Sequence, residues 1–186
     1  MNQHNLEIEN QICELEKKQL ELRNKLTELH QKMQGEEVKN YEFEGPNGTL
    51  TISELFEDKD ELIVVHNMGK SCPYCSLWAD GFNGFTEQIN TRAAFALTSP
   101  DDFKTLSAHA ESRGWRFKYY STKGMEFQKD MGFFGKGQSD TEHPYRGLSF
   151  FYKEGDKVFR KTRTNLGPGD LYCSVWHMFE RLNKGV

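Results

Sequence analysis

Cys72-Pro73-Tyr74-Cys75 places two thiols three residues apart. On a helix that spacing turns both sulfurs to one side, so one can attack and the other can resolve the product. Leu62 to Val65, just upstream, is a continuous β-branched and aliphatic run, which predicts a strand buried on both faces. Pro73 suits the first helical turn, where its missing N–H costs nothing. Trp78, Phe82, Phe85 and Ile89 follow at spacings of four, three and four, predicting one face of a helix that runs to about residue 90. Cys72 then stands at the helix N-terminus, where free N–H groups, the dipole and nearby Lys70 favour thiolate over thiol. Motifs of this geometry lower a thiol pKa from about 8.5 to roughly 3.5–7.5. The expected chemistry is that of a redox dithiol, Cys72 attacking and Cys75 resolving. Half of a zinc site has the same spacing, so the motif by itself leaves that alternative open.

The chain has 186 residues, enough for one domain with a sizeable core plus an appendage. A formal charge of -4 carries no footprint for nucleic acid or anionic membrane. No apolar run is long enough to span a bilayer, and the first ten residues are polar, so a cytoplasmic protein is expected. In a reducing cytosol a close cysteine pair points to catalysis or metal binding rather than to a structural disulfide.

From about Leu6 to Gln34 the chain is charged and free of Pro and Gly. Ile8, Leu15, Leu22 and Leu29 repeat every seven, and Ile12, Leu26 and Met33 fill the partner positions, with Gln19 interrupting. This predicts an amphipathic coiled-coil helix as an arm over 1–35, which docks on its own domain or pairs two subunits through residues 6–34 as a homodimer. Cys13 falls beside that seam as an exposed, incidental thiol. The domain proper is expected over 36–186.

There Tyr41–Glu44 alternates as an edge strand, and Gly45-Pro46-Asn47-Gly48 is a turn before Thr49–Ile52. Ser53 is placed to cap a short helix through Phe56. Ala93–Leu97 reads as a second apolar strand, Asp101 or Asp102 starts a helix ending at Gly114, and Trp115–Tyr120 alternates as a third strand. A short helix from Met125 to Met131, an irregular loop from Gly132 to Pro144, and a hairpin of Leu148–Tyr152 with Lys157–Arg160 follow. Asp170 is expected to cap a last helix with Tyr172, Val175, Trp176, Phe179 and Leu182 on its inner face. This order predicts an α/β fold with a thioredoxin-like mixed sheet flanked by helices.

Cys72-Pro-Tyr-Cys75-Ser-Leu-Trp78-Ala-Asp80-Gly-Phe82-Asn83-Gly84 resembles the signature of an uncharacterised bacterial family of thioredoxin-like proteins. Phe43-Glu-Gly-Pro-Asn-Gly48 and Gly114-Trp-Arg-Phe117 match it as well, so the resemblance covers roughly residues 15 to 180. It implies a thioredoxin fold and a dithiol–disulfide oxidoreductase role, without a substrate. Pro73-Tyr74 between the cysteines is similar to the glutaredoxin motif, although the Thr-Val-Pro segment that holds glutathione there is absent. Tyr145-Arg146-Gly147-Leu148 before a strand resembles peroxiredoxins, in which the matching arginine stabilises the peroxidatic thiolate. Their Pro-x-x-x-Thr-x-x-Cys pattern is missing, since Val65 and Gly69 stand at the proline and threonine positions before Cys72. Thioredoxins place a cis-proline just before the strand facing the dithiol, where backbone receives a substrate peptide. Here the nearest proline is Pro144, so either Gly147 does that backbone work or polypeptide disulfides are not the substrate.

The candidate catalytic residues are therefore Cys72, Cys75 and Arg146, supported by Lys70, Pro73, Tyr74, Trp78, Asp80 and Gly147. Arg146 guides an anionic substrate or is an ordinary surface arginine. Asp80 accepts the Cys75 proton or makes a helix-to-loop hydrogen bond. His66 carries protons or, as the simpler expectation, is a hydrogen-bonded core residue. Trp78, Phe82 and Phe85 are expected in the core. Cys173 and His177 share a face at the spacing that would complete a Cys₃His zinc set with the dithiol, but a buried core Cys173 is the simpler reading, and neither metal nor cofactor is expected. Partners would be a disulfide-bearing protein, or a small thiol or peroxide. The alternatives to disulfide exchange are a thiol peroxidase using Cys72 with Arg146, and a non-catalytic redox-sensing or assembly protein.

Overall fold

Residues 61–66 alternate between two apolar layers, and that alternation organises the domain. Leu62 and Val64 join a cluster with Phe43, Ile52, Phe56, Phe127 and Phe151, whereas Ile63 and Val65 pack with Trp78, Phe82, Leu97 and Leu106 on the opposite face. Ala94 and Ala96 repeat the first choice, Phe95 and Leu97 the second. A sheet covered on both faces reads as a continuous apolar run, as it does here.

A computed structural model describes residues 3–122, 124, 126–136 and 140–184. The chain forms two compact units, one up to Gln34 and one from Gly35 onward. The first is helix α1 (Gln3–Lys32), which buries none of its residues; its heptad leucines, Leu15, Leu22 and Leu29, are all exposed. At 30 residues it is about 45 Å long.

The second unit runs β1 (Glu36–Glu37), β2 (Glu42–Gly45), β3 (Gly48–Thr51), a 3₁₀ turn (Glu54–Phe56), β4 (Glu61–His66), α2 (Pro73–Asn83), α3 (Thr86–Asn90), β5 (Ala94–Ser99), α4 (Phe103–Arg113), β6 (Lys118–Ser121), α5 (Glu126–Asp130), β7 (Phe134–Gly135), β8 (His143–Pro144), β9 (Gly147–Glu154), β10 (Lys157–Asn165) and α6 (Ser174–Phe179). Eight strands make one mixed sheet in the order β1-β10-β9-β4-β5-β6-β2-β3. β4, β5 and β6 are parallel, while β9 lies antiparallel on β4 and carries the β10 hairpin. This is the α/β, thioredoxin-like mixed sheet with flanking helices that the element order predicts.

Several local expectations are corrected. The dithiol helix ends at Asn83 and a separate short helix begins at Thr86, leaving Phe85 at 53% exposure instead of on an inner face. Gly84 sits at the break; the backbone exposure and entropy of Gly weaken a helix there. The β2 strand is internal, between β6 and β3, so β3 is the edge. Ser53 makes no cap; Glu54 instead accepts the backbone N–H and hydroxyl of Thr51, both at 2.7 Å. The segment expected to be irregular contains a two-residue ladder between β7 and β8, and Met125, where the preceding helix was expected to begin, lies outside the described residues. The last helix is only six residues long, with Cys173 at its N-cap. Phe179 and Leu182 are exposed at 41% and 62%, so the inner face expected there is held by Trp176 alone among the buried residues of α6.

Candidate active site

The register of one antiparallel pair brings the candidate residues together. His66 ends β4 opposite Gly147, which begins β9. The segment leaving β4 at Asn67 and the segment entering β9 at Arg146 therefore emerge side by side at one end of these strands, and α2 starts there. The loop between is clamped from both ends. Asn67, buried, accepts the Gly69 N–H through Oδ1 at 2.7 Å, and Asp101 accepts the Lys70 N–H through Oδ2 at 2.7 Å. Gly69 adopts φ +108°, a left-handed conformation that favours glycine. Two adjacent aspartates thus divide two tasks, because Asp102 caps α4 through the Thr105 N–H at 2.8 Å while Asp101 holds the loop.

Cys72 is half-buried and occupies the N-cap of α2, with Pro73 in the first turn. Its Sγ accepts the Cys75 backbone N–H at 3.3 Å, a bond to which a thiolate is the better acceptor. Cys75 is 5% exposed, and burial foremost, with its hydrogen bond to Cys72, pushes its thiol up to about 12. Met68 backbone and the Arg146 charge act in the opposite sense on that thiol. Both cysteines are free thiols.

Arg146 is half-buried. Its guanidinium carbon lies 5.3 Å from the Trp78 ring centroid and 6.0 Å from that of Tyr74, and Nη1 points at Met68 Sδ 3.6 Å away. Nε is buried without a hydrogen-bond partner, and no carboxylate pairs with this side chain among the described residues. The arginine is thus held by aromatic faces that fix it without neutralising it. Trp78 is fixed in turn, buried at 1% exposure and donating Nε1–H to Asp170 at 2.9 Å. Asp170 also accepts the Gly167 and Tyr172 N–H groups at 2.9 and 2.6 Å, so it ties the C-terminal segment to the dithiol helix rather than capping α6. Tyr74, 46% exposed, and Trp176 complete an aromatic wall with Trp78, the rings 5.9–6.3 Å apart.

Lys70, Asp80 and Gly147 are the other expected supporting residues, and of the two readings of Asp80 the structure shows the helix-to-loop hydrogen bond. Lys70 is exposed, and its side chain lines a surface hollow with Asp102, Lys104, Thr105 and His109. Asp80 accepts from Arg113, through Nε at 2.9 Å and through Nη2, and from Trp115 Nε1 at 2.8 Å. It therefore anchors α2 to α4, and Asn83 does the same by accepting the Arg116 N–H and donating to the Gly114 carbonyl. Gly147 is paired on both sides, with His66 and with Asn165. Its neighbours' backbone is used as well: the Tyr145 N–H donates to Phe133 O at 2.7 Å and Arg146 O accepts from Leu166 N at 3.2 Å.

His66 is a core residue. It is fully buried, stacks on Phe133 at 4.1 Å and Phe127 at 5.2 Å, and shares a hydrogen bond with Ser149 Oγ at 2.9 Å. Burial first, then the charges of Arg160 and Arg163, lowers its pKa to about 3. The neutral form is the native one, so the unfolded chain binds a proton below about 6.5 that the folded chain refuses until about 3. Stability is full above that window and declines as pH falls through it, by up to about 1.4 kcal/mol per pH unit. Denaturant midpoints measured from pH 7 to 5 are expected to fall, and His66→Gln to flatten the slope.

Among the described residues no cluster of three or more His, Cys, Asp and Glu side chains could hold a metal ion. His177 is engaged at both ring nitrogens, with Asp170 O at 2.9 Å and Glu180 at 3.3 Å. No described helix is long and apolar enough to cross a membrane.

No curated protein matches the chain. Among solved structures it is similar to reduced Prx3 from Vibrio vulnificus, with 16% identity and a TM-score of 0.59 over 74% of this chain and 89% of that one. It is also similar to the peroxidoxin BcpB of Mycobacterium tuberculosis, with 19% identity and a TM-score of 0.55 over 68% and 82%. Peroxiredoxin Q of Xanthomonas campestris follows, with 16% identity and a TM-score of 0.54 over 65% and 80%. At these identities the likeness shows a shared fold. Over residues 2–186 the chain matches the profile described as "Bacterial protein of unknown function (DUF899)", and it belongs to that family.

Proposed function

We propose that this protein is a thiol peroxidase in which Cys72 is oxidised and Cys75 resolves. The observation that carries the reading is Arg146, an arginine without a carboxylate partner among the described residues, held against the aromatic wall beside the dithiol. In this reading its Nη N–H groups, rather than the buried Nε, meet the peroxide oxygens and the charge that develops on the leaving oxygen. The Cys72 thiolate attacks the protonated peroxide oxygen and the O–O bond breaks; the sulfur becomes a sulfenic acid that keeps that proton, while the other oxygen leaves as hydroxide or alkoxide and takes from solvent the equivalent of the proton Cys72 gave up, becoming water or alcohol. The Cys75 thiol then displaces hydroxide from Cys72, which takes up the Cys75 proton and leaves as water, forming the Cys72–Cys75 disulfide. A dithiol reductant returns the pair to the start. The solved peroxiredoxin folds support the same reading.

The pairing of Gly147 with His66 and Asn165, with the bonds of Tyr145 N and Arg146 O, favours a small substrate over an extended peptide. A second reading, dithiol–disulfide exchange, is supported by the Cys75 N–H bond to Cys72 Sγ, which suits an attacking thiolate in either chemistry. Peroxide consumption by the reduced protein separates the two. One equivalent is expected to be consumed as the disulfide forms, none in Cys72→Ser, and Cys75→Ser is expected to stop at a sulfenic acid that a cyclic diketone traps. A wild-type dithiol left intact by peroxide yet oxidised by a protein disulfide would establish the second reading.

A further inference from the structure

Met68 touches both halves of the site. It is half-buried in the loop between β4 and Cys72, and its Sδ lies 3.6 Å from Arg146 Nη1. A thioether is a weak acceptor for a guanidinium, so the contact leaves the arginine's charge free. A sulfoxide oxygen in the same place is a strong one, and hydrogen bonds to a charged donor are about twice as strong as neutral ones.

We propose that Met68 is an oxidation site through which peroxide shuts the enzyme down reversibly. The inference rests on the peroxide reading of Arg146. Peroxide held at the arginine meets two sulfurs, the Cys72 thiolate and the Met68 thioether. When the thiolate is already spent, a lone pair of Met68 Sδ attacks a peroxide oxygen. The S–O bond forms as the O–O bond breaks, and the proton left on the sulfur-bound oxygen passes to the departing hydroxide or alkoxide, which leaves as water or alcohol. Sulfur loses the two electrons that the peroxide gains. The new sulfoxide oxygen accepts from Arg146 and occupies the donors that the next peroxide needs, and a methionine sulfoxide reductase reverses the change.

The chain carries its own controls. Met131 Sδ makes a similar contact, 3.7 Å from Arg160 Nη1, but is 3% exposed. Met178 is 62% exposed, on α6. Exposure alone therefore ranks Met178 ahead of Met68, and the proposal reverses that rank. Peptide mapping by mass spectrometry follows hydrogen peroxide treatment of the full chain already oxidised to its disulfide, and of Cys72→Ser with Cys75→Ser. Met68 is expected to gain oxygen several-fold faster than Met178, with Met131 last, and Arg146→Gln to remove the lead. Oxidation in order of exposure overturns the proposal.

In the reduced enzyme, an excess pulse of peroxide is expected to cost activity that methionine sulfoxide reductase restores and that Met68→Leu protects relative to its own starting rate. A loss unaltered in Met68→Leu places the damage on Cys72 and overturns the shutdown. If the wild-type dithiol consumes no peroxide, the peroxidase reading fails while the order of methionine oxidation still decides the status of Met68. If it consumes peroxide and Met68 lags, this inference alone falls.

Discussion

Arg146→Gln is expected to lower kcat/KM for peroxide by about 10²–10³-fold, the usual cost of removing one preorganised donor from a site where charge develops. The size of the effect follows from the arginine's surroundings. An arginine already neutralised by a carboxylate would contribute less; this one faces two aromatic rings and a thioether. Glutamine keeps a donor but loses the charge and the planar fork. Arg146→Lys keeps the charge as a compact ammonium that stacks less well on Trp78, so it is expected to recover part of the rate and not all of it. Because Arg146 is half-buried and makes no ion pair among the described residues, both variants should melt near the wild-type temperature. A peroxide assay beside a thermal melt checks both statements. A rate unchanged in Arg146→Gln would remove the arginine from the chemistry.

Gly147→Ala is expected to destabilise the domain by more than about 3 kcal/mol, at the upper end of overpacking costs. A Cβ at this position would overlap the Phe133 ring and the Thr164 carbonyl. The carbonyl belongs to the neighbouring β10 strand and cannot rotate away, and the ring is fully buried against His66. Relief requires β9 to shift relative to β10 or β4, which would also move Arg146, the residue immediately before it. Urea unfolding gives the stability directly. A Gly147→Ala protein with wild-type midpoint and slope would mean that the strands here yield more than a close-packed interior permits. The small residue thus serves close packing of the strand.

The parts of the molecule legible in the sequence are those written in local chemistry. Leu62–Val65 and Ala94–Leu97 declare a doubly covered sheet, Asp102 and Gly114 mark the ends of α4, and Cys72-Pro73 marks the start of α2. Gly114 closes its helix in the left-handed conformation at φ +66° that this position commonly takes. What eluded the sequence was set by partners distant in the chain. Asp170 looks like a helix-start carboxylate yet belongs to the Trp78 indole, and Asp80, legible as a helix-to-loop acceptor, finds its particular partners in Arg113 and Trp115. Asn67 and Asp101 clamp the loop before Cys72 across the β4–β5 register, for which the one local sign was a second aspartate beside the helix cap. Arg146 was legible as a candidate through the likeness of Tyr145-Arg146-Gly147-Leu148 to peroxiredoxins, but the contacts that hold it were not. Its partners Tyr74, Trp78 and Met68 follow from the antiparallel pairing of His66 with Gly147.

The two residues of β1 have a reach larger than their length. β10 is nine residues long and would otherwise be the open margin of the sheet, with its outer amides and carbonyls free to recruit a strand from another molecule. Glu36 and Glu37 cover Arg160 and Phe159 on that margin, and their carboxylates pair with Arg160 and Lys157. The opposite margin is β3, only four residues long. The short β3 and the covered Phe159–Arg160 stretch of β10 thus discourage edge-to-edge self-association, and trimming the stretch just after α1 past Glu37 is expected to favour it.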